Sequence, residues 1–363
     1  MLKAHRKFFL ALLIAGGAWV EGCGDDAAAT DAGLDASVAD SGGNTDLGSS
    51  FDAGESDAST SDASTADAGN AIDAVEYTPP TGAATGSGVE HDGPGPDRIL
   101  LATSTDGVTF TRLERVLSDQ AATPNMFVLP SGRILIYFTG YAFTGGHDNT
   151  GVAVSDDNAE TFRYFRVAYT GLTPPPSIGD PDIVQLEDGS FRMYLTHGGP
   201  MNTIVIKSAT STDGFNFTYE GIALNTMSQD YKDSLTHRVG DTWVQFVLHS
   251  ADGQMGRATS ADGVTFTMQD TMGYVNGGEQ YVLSSWMPIP SGGFRVFGFQ
   301  GLESASQIRS FTTTDGVTLT PDTTESLRLA SSPLESHLVK DAAVARMANG
   351  TYLMAYTTFI PTT

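Results

Sequence analysis

The stretch STDGVTF at Ser104–Phe110 recurs along the chain at regular distances. Close copies stand at Ser211–Phe217 (STDGFNF) and Ser260–Phe266 (SADGVTF), and looser copies at Ser155–Phe162 (SDDNAETF) and Thr313–Leu319 (TTDGVTL). Counted in chain order, their first residues are 51, 56, 49 and 53 positions apart. Self-similarity at this period indicates a repeat architecture, and the length is typical of one four-stranded propeller blade with its loops.

A second motif lies between these turns. It consists of an apolar run, a turn that contains glycine, and a run in which apolar residues alternate. It occurs at residues 125–138, 182–195, 233–248, 285–299 and 343–356. Alternation with period two around a glycine turn is typical of a β-hairpin. We therefore expect each blade to combine this inner hairpin with an outer hairpin that carries the Ser-x-Asp turn.

The order of the two motifs predicts how the ring closes. The repeat region begins with an outer hairpin, Arg98–Arg112, and ends with an inner hairpin, Ala343–Thr358. Joining the two completes a fifth blade and removes an exposed edge strand. The predicted fold is therefore all-β. It is a five-bladed β-propeller over residues 93–363, with four antiparallel strands per blade, closed by pairing of the N- and C-terminal strands.

The part of the chain before the repeats has a different composition. Lys3, Arg6 and Lys7 precede an apolar run at residues 8–20 that is short for a membrane span, so residues 1–22 are predicted to be an export signal. Residues 24–77 contain thirteen Asp or Glu and no Lys or Arg. Such a segment buries too little apolar surface to fold, so residues 23–92 are predicted to be a disordered acidic tether. The chain shows no basic patch interleaved with aromatic residues, which argues against nucleic acid as a partner.

The end of the export signal, Val20-Glu-Gly-Cys23, resembles the lipobox of bacterial lipoproteins. The resemblance implies that Cys23 is lipidated, and that the protein is exported and attached by this lipid to the cell envelope, at the outer membrane or the cell surface. Cys23 is the single cysteine of the chain, so it has no partner for an internal disulfide.

The repeated turns also carry a resemblance. The turn at Ser155 is similar to the Asp box of sialidases, and the shorter form resembles that of five-bladed glycosidases related to glycoside hydrolase families 43 and 32. In both groups the turn is structural, because a short Asp side chain accepts hydrogen bonds from backbone N–H groups of the turn. We therefore interpret five aspartates as structural: Asp106, Asp157, Asp213, Asp262 and Asp315.

Chemistry is then expected on the opposite face, where the inner strands begin. The resemblance to families 43 and 32 implies Asp, Asp and Glu on three successive blades, acting as base or nucleophile, orienting carboxylate and general acid. Read onto this chain, the series is Asp182, Asp233 and Glu279, with Asp180 and Asp341 as alternates. The choice between Asp180 and Asp182 stays open, because a register shift of one residue turns a side chain to the opposite face of a strand.

Further side chains on this face are candidates for substrate binding. Tyr231 and Trp286 can stack on a sugar ring or pack between blades, and three histidines end successive second strands without a spacing that indicates a metal site. We predict no cofactor, with a structural Ca²⁺ ion on the axis as an open alternative. The candidate substrate-binding residues are Tyr141, His147, His197, Tyr231, His249, Trp286 and His337.

These observations lead to two main hypotheses of function. The first is a monomeric, exported, lipid-anchored glycoside hydrolase that acts on an extracellular poly- or oligosaccharide. The second is a surface propeller that binds a glycan or a protein without catalysis, because a fold does not determine a function. A scaffold within an envelope complex is a third alternative, and it would require a large exposed apolar patch.

Overall fold

The structure is a computed structural model that describes residues 72–84, 93–144, 147–172, 179–199, 203–224, 226, 230–272, 280–301 and 304–361, with the backbone alone at 141–144, 147–148 and 270–272. All regular secondary structure within these residues is β-strand. No helix of the described part could therefore span a membrane. The predicted export signal, Cys23 and Glu279 lie outside the described residues.

Five sheets form five blades, each with four antiparallel strands. Blade 1 consists of β4 (Ala121–Val128), β5 (Ile134–Thr144), β6 (His147–Ser155) and β7 (Arg163–Arg166), and blade 2 of β9 (Gly179–Gln185), β10 (Phe191–Gly198), β11 (Ile204–Ser211) and β12 (Asn216–Leu224). Blade 3 consists of β13 (Tyr231–Val239), β14 (Thr242–His249), β15 (Met255–Ser260) and β16 (Thr267–Met272), and blade 4 of β17 (Val282–Pro288), β18 (Phe294–Phe299), β19 (Gln307–Thr313) and β20 (Thr320–Arg328).

Blade 5 joins the two ends of the domain. Its inner strands are β21 (Ser336–Arg346) and β22 (Tyr352–Phe359), and its outer strands are β2 (Asp97–Ser104) and β3 (Thr111–Asp119). The strands β2 and β22 pair along their length. The inner strands β4, β9, β13, β17 and β21 contact one another in this order, and β21 contacts β4. The predicted five-bladed propeller with four antiparallel strands per blade is confirmed.

The repeated turns connect the third and fourth strands of the blades. In the first of them, Oδ1 of Asp106 accepts hydrogen bonds from the backbone N–H groups of Val108 (2.8 Å) and Thr109 (2.9 Å), and the Ser104 hydroxyl donates to the same oxygen. The turns at Asp213, Asp262 and Asp315 repeat this pattern. These bonds use the carboxylates inside the turns, as the structural interpretation requires.

Aromatic side chains connect two of these turns to the preceding blade. The hydroxyl of Tyr137 in blade 1 donates to the carbonyl of Gly214 in blade 2 (2.9 Å), and that of Tyr194 in blade 2 donates to Gly263 in blade 3 (2.6 Å). Both tyrosines are fully buried. The glycine of a turn therefore lies against the core of the preceding blade.

Two short strands extend the outer edges of blades 1 and 2. The strand β8 (Ala168–Thr170) pairs in parallel with β12. The strand β1 (Val75–Glu76) pairs antiparallel with β7, which gives blade 1 a fifth strand. We call residues 72–84, which include β1, the edge segment.

The edge segment contacts three blades. The Asp73 carbonyl accepts a hydrogen bond from Asn216 Nδ2 in blade 2 (2.8 Å), and the Gly82 N–H donates to Asp119 Oδ2 in blade 5 (2.6 Å). Ile72 packs against the buried cluster between blades 1 and 2. This segment falls in the range 23–92 for which we predict a tether, and within that range the described residues 72–84 contact the propeller.

Two glycines of blade 3 test the packing of the repeated turn. Gly263 and Gly253 have nearly equal positive φ angles, 70° and 71°, but a Cβ on Gly263 would lie 2.9 Å from the Trp243 ring, whereas a Cβ on Gly253 meets nothing within 4 Å. Gly253→Ala should cost about 1–2 kcal/mol for the left-handed backbone. Gly263→Ala should cost about 1–3 kcal/mol more, because the turn has to move away from the ring. Urea unfolding midpoints measure both, and equal losses would contradict the proposed packing.

Candidate active site on the propeller axis

The five inner strands are irregular where they begin. Each has a register shift in its pairing with the next strand, and the shifts fall at Thr123, Asp180, Asp233, Ser284 and Asp341. The φ angles of Thr123, Asp180, Asp233 and Asp341 are 49°, 55°, 52° and 47°. Left-handed backbone costs a non-glycine residue on the order of 1–3 kcal/mol, and such strain concentrates at functional sites. The repeated bulge therefore marks this end of the inner strands as the candidate site.

Hydroxyl groups of neighbouring blades hold three of these bulges. In each case a threonine on the second strand of the preceding blade accepts a hydrogen bond from the N–H of the bulged residue. The pairs are Thr357 with Thr123 (3.2 Å), Thr139 with Asp180 (2.9 Å) and Thr196 with Asp233 (3.1 Å). The bond satisfies a donor that the shifted ladder leaves without a strand partner.

The bulges surround a recess on the axis, to which all five blades contribute. Its volume is about 30 Å³, enough for a water molecule and far smaller than a ligand pocket of about 300–1,000 Å³. It is therefore the floor of a site and not a complete sugar pocket. The lining residues are Thr123, Pro124, Asn125, Asp180, Pro181, Asp233, Ser234, Val282, Leu283, Ser284 and Asp341.

Two carboxyl groups of the recess hydrogen-bond to each other. Burial raises the pKa of Asp180 well above its ordinary value, and the charge of Asp233 and the hydrogen bond between the two side chains raise it further. Lys232 and Thr196 act in the opposite direction but are weaker. Like charges on neighbouring carboxyls disfavour double ionisation. The protonated form of Asp180 is therefore favoured beside the Asp233 carboxyl.

The third carboxyl of the recess has a different environment. Asp341 Oδ2 lies 3.5 Å from the Lys340 Nζ atom, which also lies 3.7 Å from Asp97 Oδ2. Burial raises the pKa of Asp341, and the positive charge of Lys340 opposes that effect. The recess thus combines Asp180, whose protonated form is favoured, with a separate carboxyl that has a cation beside it.

Asp182 lies between blades and does not line the recess. Its side chain is buried, Asn125 Nδ2 lies 3.4 Å from its Oδ1, and Thr236 of blade 3 donates to it from both backbone and side chain. Burial raises the pKa of Asp182 to about 8. Of the two carboxyls in Asp180-Pro181-Asp182, the alternate candidate Asp180 is therefore the one at the recess.

None of the described candidate substrate-binding side chains lines the recess. Tyr231 and His249 contact each other with ring centroids 5.2 Å apart, and Trp286 stacks on Phe246 at 5.0 Å, so both aromatic candidates pack in the core. The remaining two differ. His197 is buried with Nδ1 2.7 Å from the Gly198 carbonyl, whereas His337 is exposed, with its ring centroid 5.7 Å from that of Phe359.

Two further candidates, Tyr141 and His147, have only their backbone described, in β5 and β6. The recess also contains residues that the sequence analysis missed. Thr123 and Ser284 occupy the bulge position in blades 1 and 4. A positional signal existed, because Thr123, Asp180 and Asp341 all stand nine positions before a turn glycine, namely Gly132, Gly189 and Gly350.

The solved structures that are similar to this chain include the following three. A protein of unknown function from Dyadobacter fermentans is 14% identical, with a TM-score of 0.50 over 71% of this chain and 83% of that one. A putative glycosidase from Bacteroides thetaiotaomicron is 13% identical, with a TM-score of 0.50 over 67% and 87%. A thermostable family-43 glycoside hydrolase is 9% identical, with a TM-score of 0.50 over 66% and 88%.

The likeness is one of fold. The chain has the five-bladed propeller architecture of these glycoside hydrolases, at identities too low to carry an activity. It matches no protein-family model and no curated protein sequence.

The pKa of Asp182 predicts a pH dependence of stability. The folded state holds the proton up to about pH 8, whereas the unfolded chain releases it at about pH 3.9. The stabilisation that the folded protein gains from this proton is complete below about pH 4. It is lost as the pH rises to about 8, and the free energy of unfolding then falls by at most about 1.4 kcal/mol per pH unit. Asp182→Asn, which resembles the protonated acid, should flatten the decline. Urea unfolding at pH 5 and pH 8 measures it.

The matched control is Asp188→Asn, on an exposed turn of the same blade, where hydrogen bonds from Ser190 lower the pKa. It should leave the decline between pH 5 and pH 8 unchanged. An equally steep decline in Asp182→Asn and the native chain would show that Asp182 is not the group responsible.

Proposed function

We propose that this protein is an exported, lipid-anchored glycoside hydrolase whose site lies over the axial recess. The observation that carries the proposal is the convergence of Asp180, Asp233 and Asp341, from three blades, on one recess. Such a hydrolase needs a carboxylic acid to protonate the leaving oxygen and a carboxylate to act as base or nucleophile. The recess offers both kinds of group.

We assign the acid to Asp180, because burial and the neighbouring Asp233 carboxyl favour its protonated form. We assign the carboxylate to Asp341, which comes from a blade adjacent to neither of the others. Placement on separate blades leaves room for a glycosidic oxygen between the two functions. Glu279, for which the family resemblance implies the general acid, stays a prediction. An extracellular poly- or oligosaccharide would be the substrate.

Two solved structures with this fold, a putative glycosidase and a family-43 glycoside hydrolase, support this proposal. In this chain the end of the axis at which the inner strands begin carries the acidic recess.

Single substitutions at the recess test the assignment. Asp180→Asn and Asp341→Asn should each lower kcat by about 10²-fold or more on any cleaved glycan, since each removes an acid or base function. The chain from residue 24 onwards would be screened against polysaccharides and aryl glycosides. Asp188→Asn, on the exposed turn between β9 and β10, is the control and should keep full activity. Unchanged hydrolysis in both recess variants would exclude this site.

Glycan binding without hydrolysis is the second candidate, and a specific observation favours it. The Asp180 and Asp233 carboxyls hydrogen-bond to each other, which places them closer than the roughly 5 Å that separates the two catalytic carboxyls of retaining enzymes. Of the three recess aspartates, Asp341 alone is then left to act as the second catalytic carboxyl. Calorimetric titration with each glycan would distinguish the two functions. Saturable binding with no released sugar would support the binding role.

The proposed anchor has a separate test. Cys23→Ser should abolish labelling of the protein by a radioactive fatty acid, because the lipid requires the thiol. It should also move the protein from the membrane to the soluble fraction of a bacterial host that exports lipoproteins. Membrane association that persists in Cys23→Ser would contradict lipid anchoring.

A further inference from the structure

Lys340 is a buried cation at the edge of the recess. Its side chain is 15% exposed, and its Nζ atom lies 3.5 Å from Asp341 Oδ2 and 3.7 Å from Asp97 Oδ2. Asp97 is almost inaccessible, with 2% of its side chain exposed. Buried charges are retained in proteins when they are paired, because their removal from water is costly. The lysine therefore holds a fixed place between the two carboxylates.

The three charged groups come from both ends of the domain. Asp97 is the first residue of β2, whereas Lys340 and Asp341 lie in β21. Both strands pair with β22. Closure of blade 5 therefore brings the Asp97 carboxylate to Lys340.

Other charges facing Asp341 come from blade 3. Asp233 favours the protonated form of Asp341, while Lys232 favours the ionised form. The recess residues on the strands that flank β21, Thr123 on β4 and Ser284 on β17, carry no charge. Burial also favours the protonated form, and Lys340 is the largest opposing charge.

We propose that Lys340 is a positioning residue that keeps Asp341 in the carboxylate form required of a base or nucleophile, while Asp97 shares the charge of the lysine. The catalytic consequence rests on the function proposed above. The effect on the ionisation of Asp341 does not, and it can be measured without a substrate.

The kinetic test compares three variants. Lys340→Met removes the charge and keeps much of the volume, so the acidic limb of kcat/KM against pH should move upward by about 1 unit, the lower end of the effect of an opposite charge within about 4–6 Å. Lys340→Arg keeps the charge and should retain the native limb. Lys207→Met is the control, because Lys207 is also largely buried but lies against Tyr219 in blade 2. Lys207→Met should leave the acidic limb of kcat/KM against pH unchanged.

The direct test follows the side-chain carboxyl carbon of Asp341 by NMR, with the signal assigned through Asp341→Asn. Its titration midpoint should rise in Lys340→Met. In Asp97→Asn it should fall, since the lysine then has one carboxylate fewer to neutralise; this second variant keeps the proposal testable if Lys340→Met does not fold. An unchanged midpoint in Lys340→Met, or an unchanged or raised midpoint in Asp97→Asn, would overturn the proposal.

The two proposals can fail separately. If no variant and no native protein hydrolyses any glycan, yet the midpoint of Asp341 rises in Lys340→Met, the hydrolase assignment falls and the control of Asp341 by Lys340 stands. If hydrolysis depends on Asp341 but the titration midpoint of Asp341 does not respond to Lys340→Met, the hydrolase assignment stands and the control of Asp341 by Lys340 falls.

Discussion

The pairing of β2 with β22 is the constraint on which the other features depend. Backbone partners run without a shift from Asp97 opposite Phe359 to Ser104 opposite Tyr352. This ladder joins the first and last parts of the propeller in one blade, so the inner strands contact one another all the way around. The recess depends on that closure, because residues of every blade line it.

Closure alone would give inner strands with regular alternation. The bulges change that by inserting one extra residue, often with left-handed backbone, at the same level in each blade. This residue faces the axis in every blade, and in three blades it is an aspartate. Threonines of the preceding blades, such as Thr139 and Thr196, stabilise the strained backbone, so the geometry of each carboxyl depends on a neighbouring blade.

Much of the fold follows from the sequence because the repeated turn uses local chemistry: Asp106 binds backbone groups two and three residues away. The start of each inner strand could not be predicted in the same way. Alternation placed the first strand of blade 1 at Asn125, whereas β4 begins at Ala121, because the bulge interrupts the pattern. The same interruption explains why the strand pattern favours Asp182 over Asp180 as the catalytic candidate. Trp286 packs against Phe246 of the neighbouring blade, a contact that a strand pattern does not record.

The edge segment has a mechanical consequence. Tension on the chain that precedes residue 72 would enter the propeller through the Asp73–Asn216 contact and the β1–β7 pairs on its periphery. Both contacts involve the outer strands of blades 1 and 2. The load would therefore be borne at the perimeter, and the seam that closes the ring would be shielded from it.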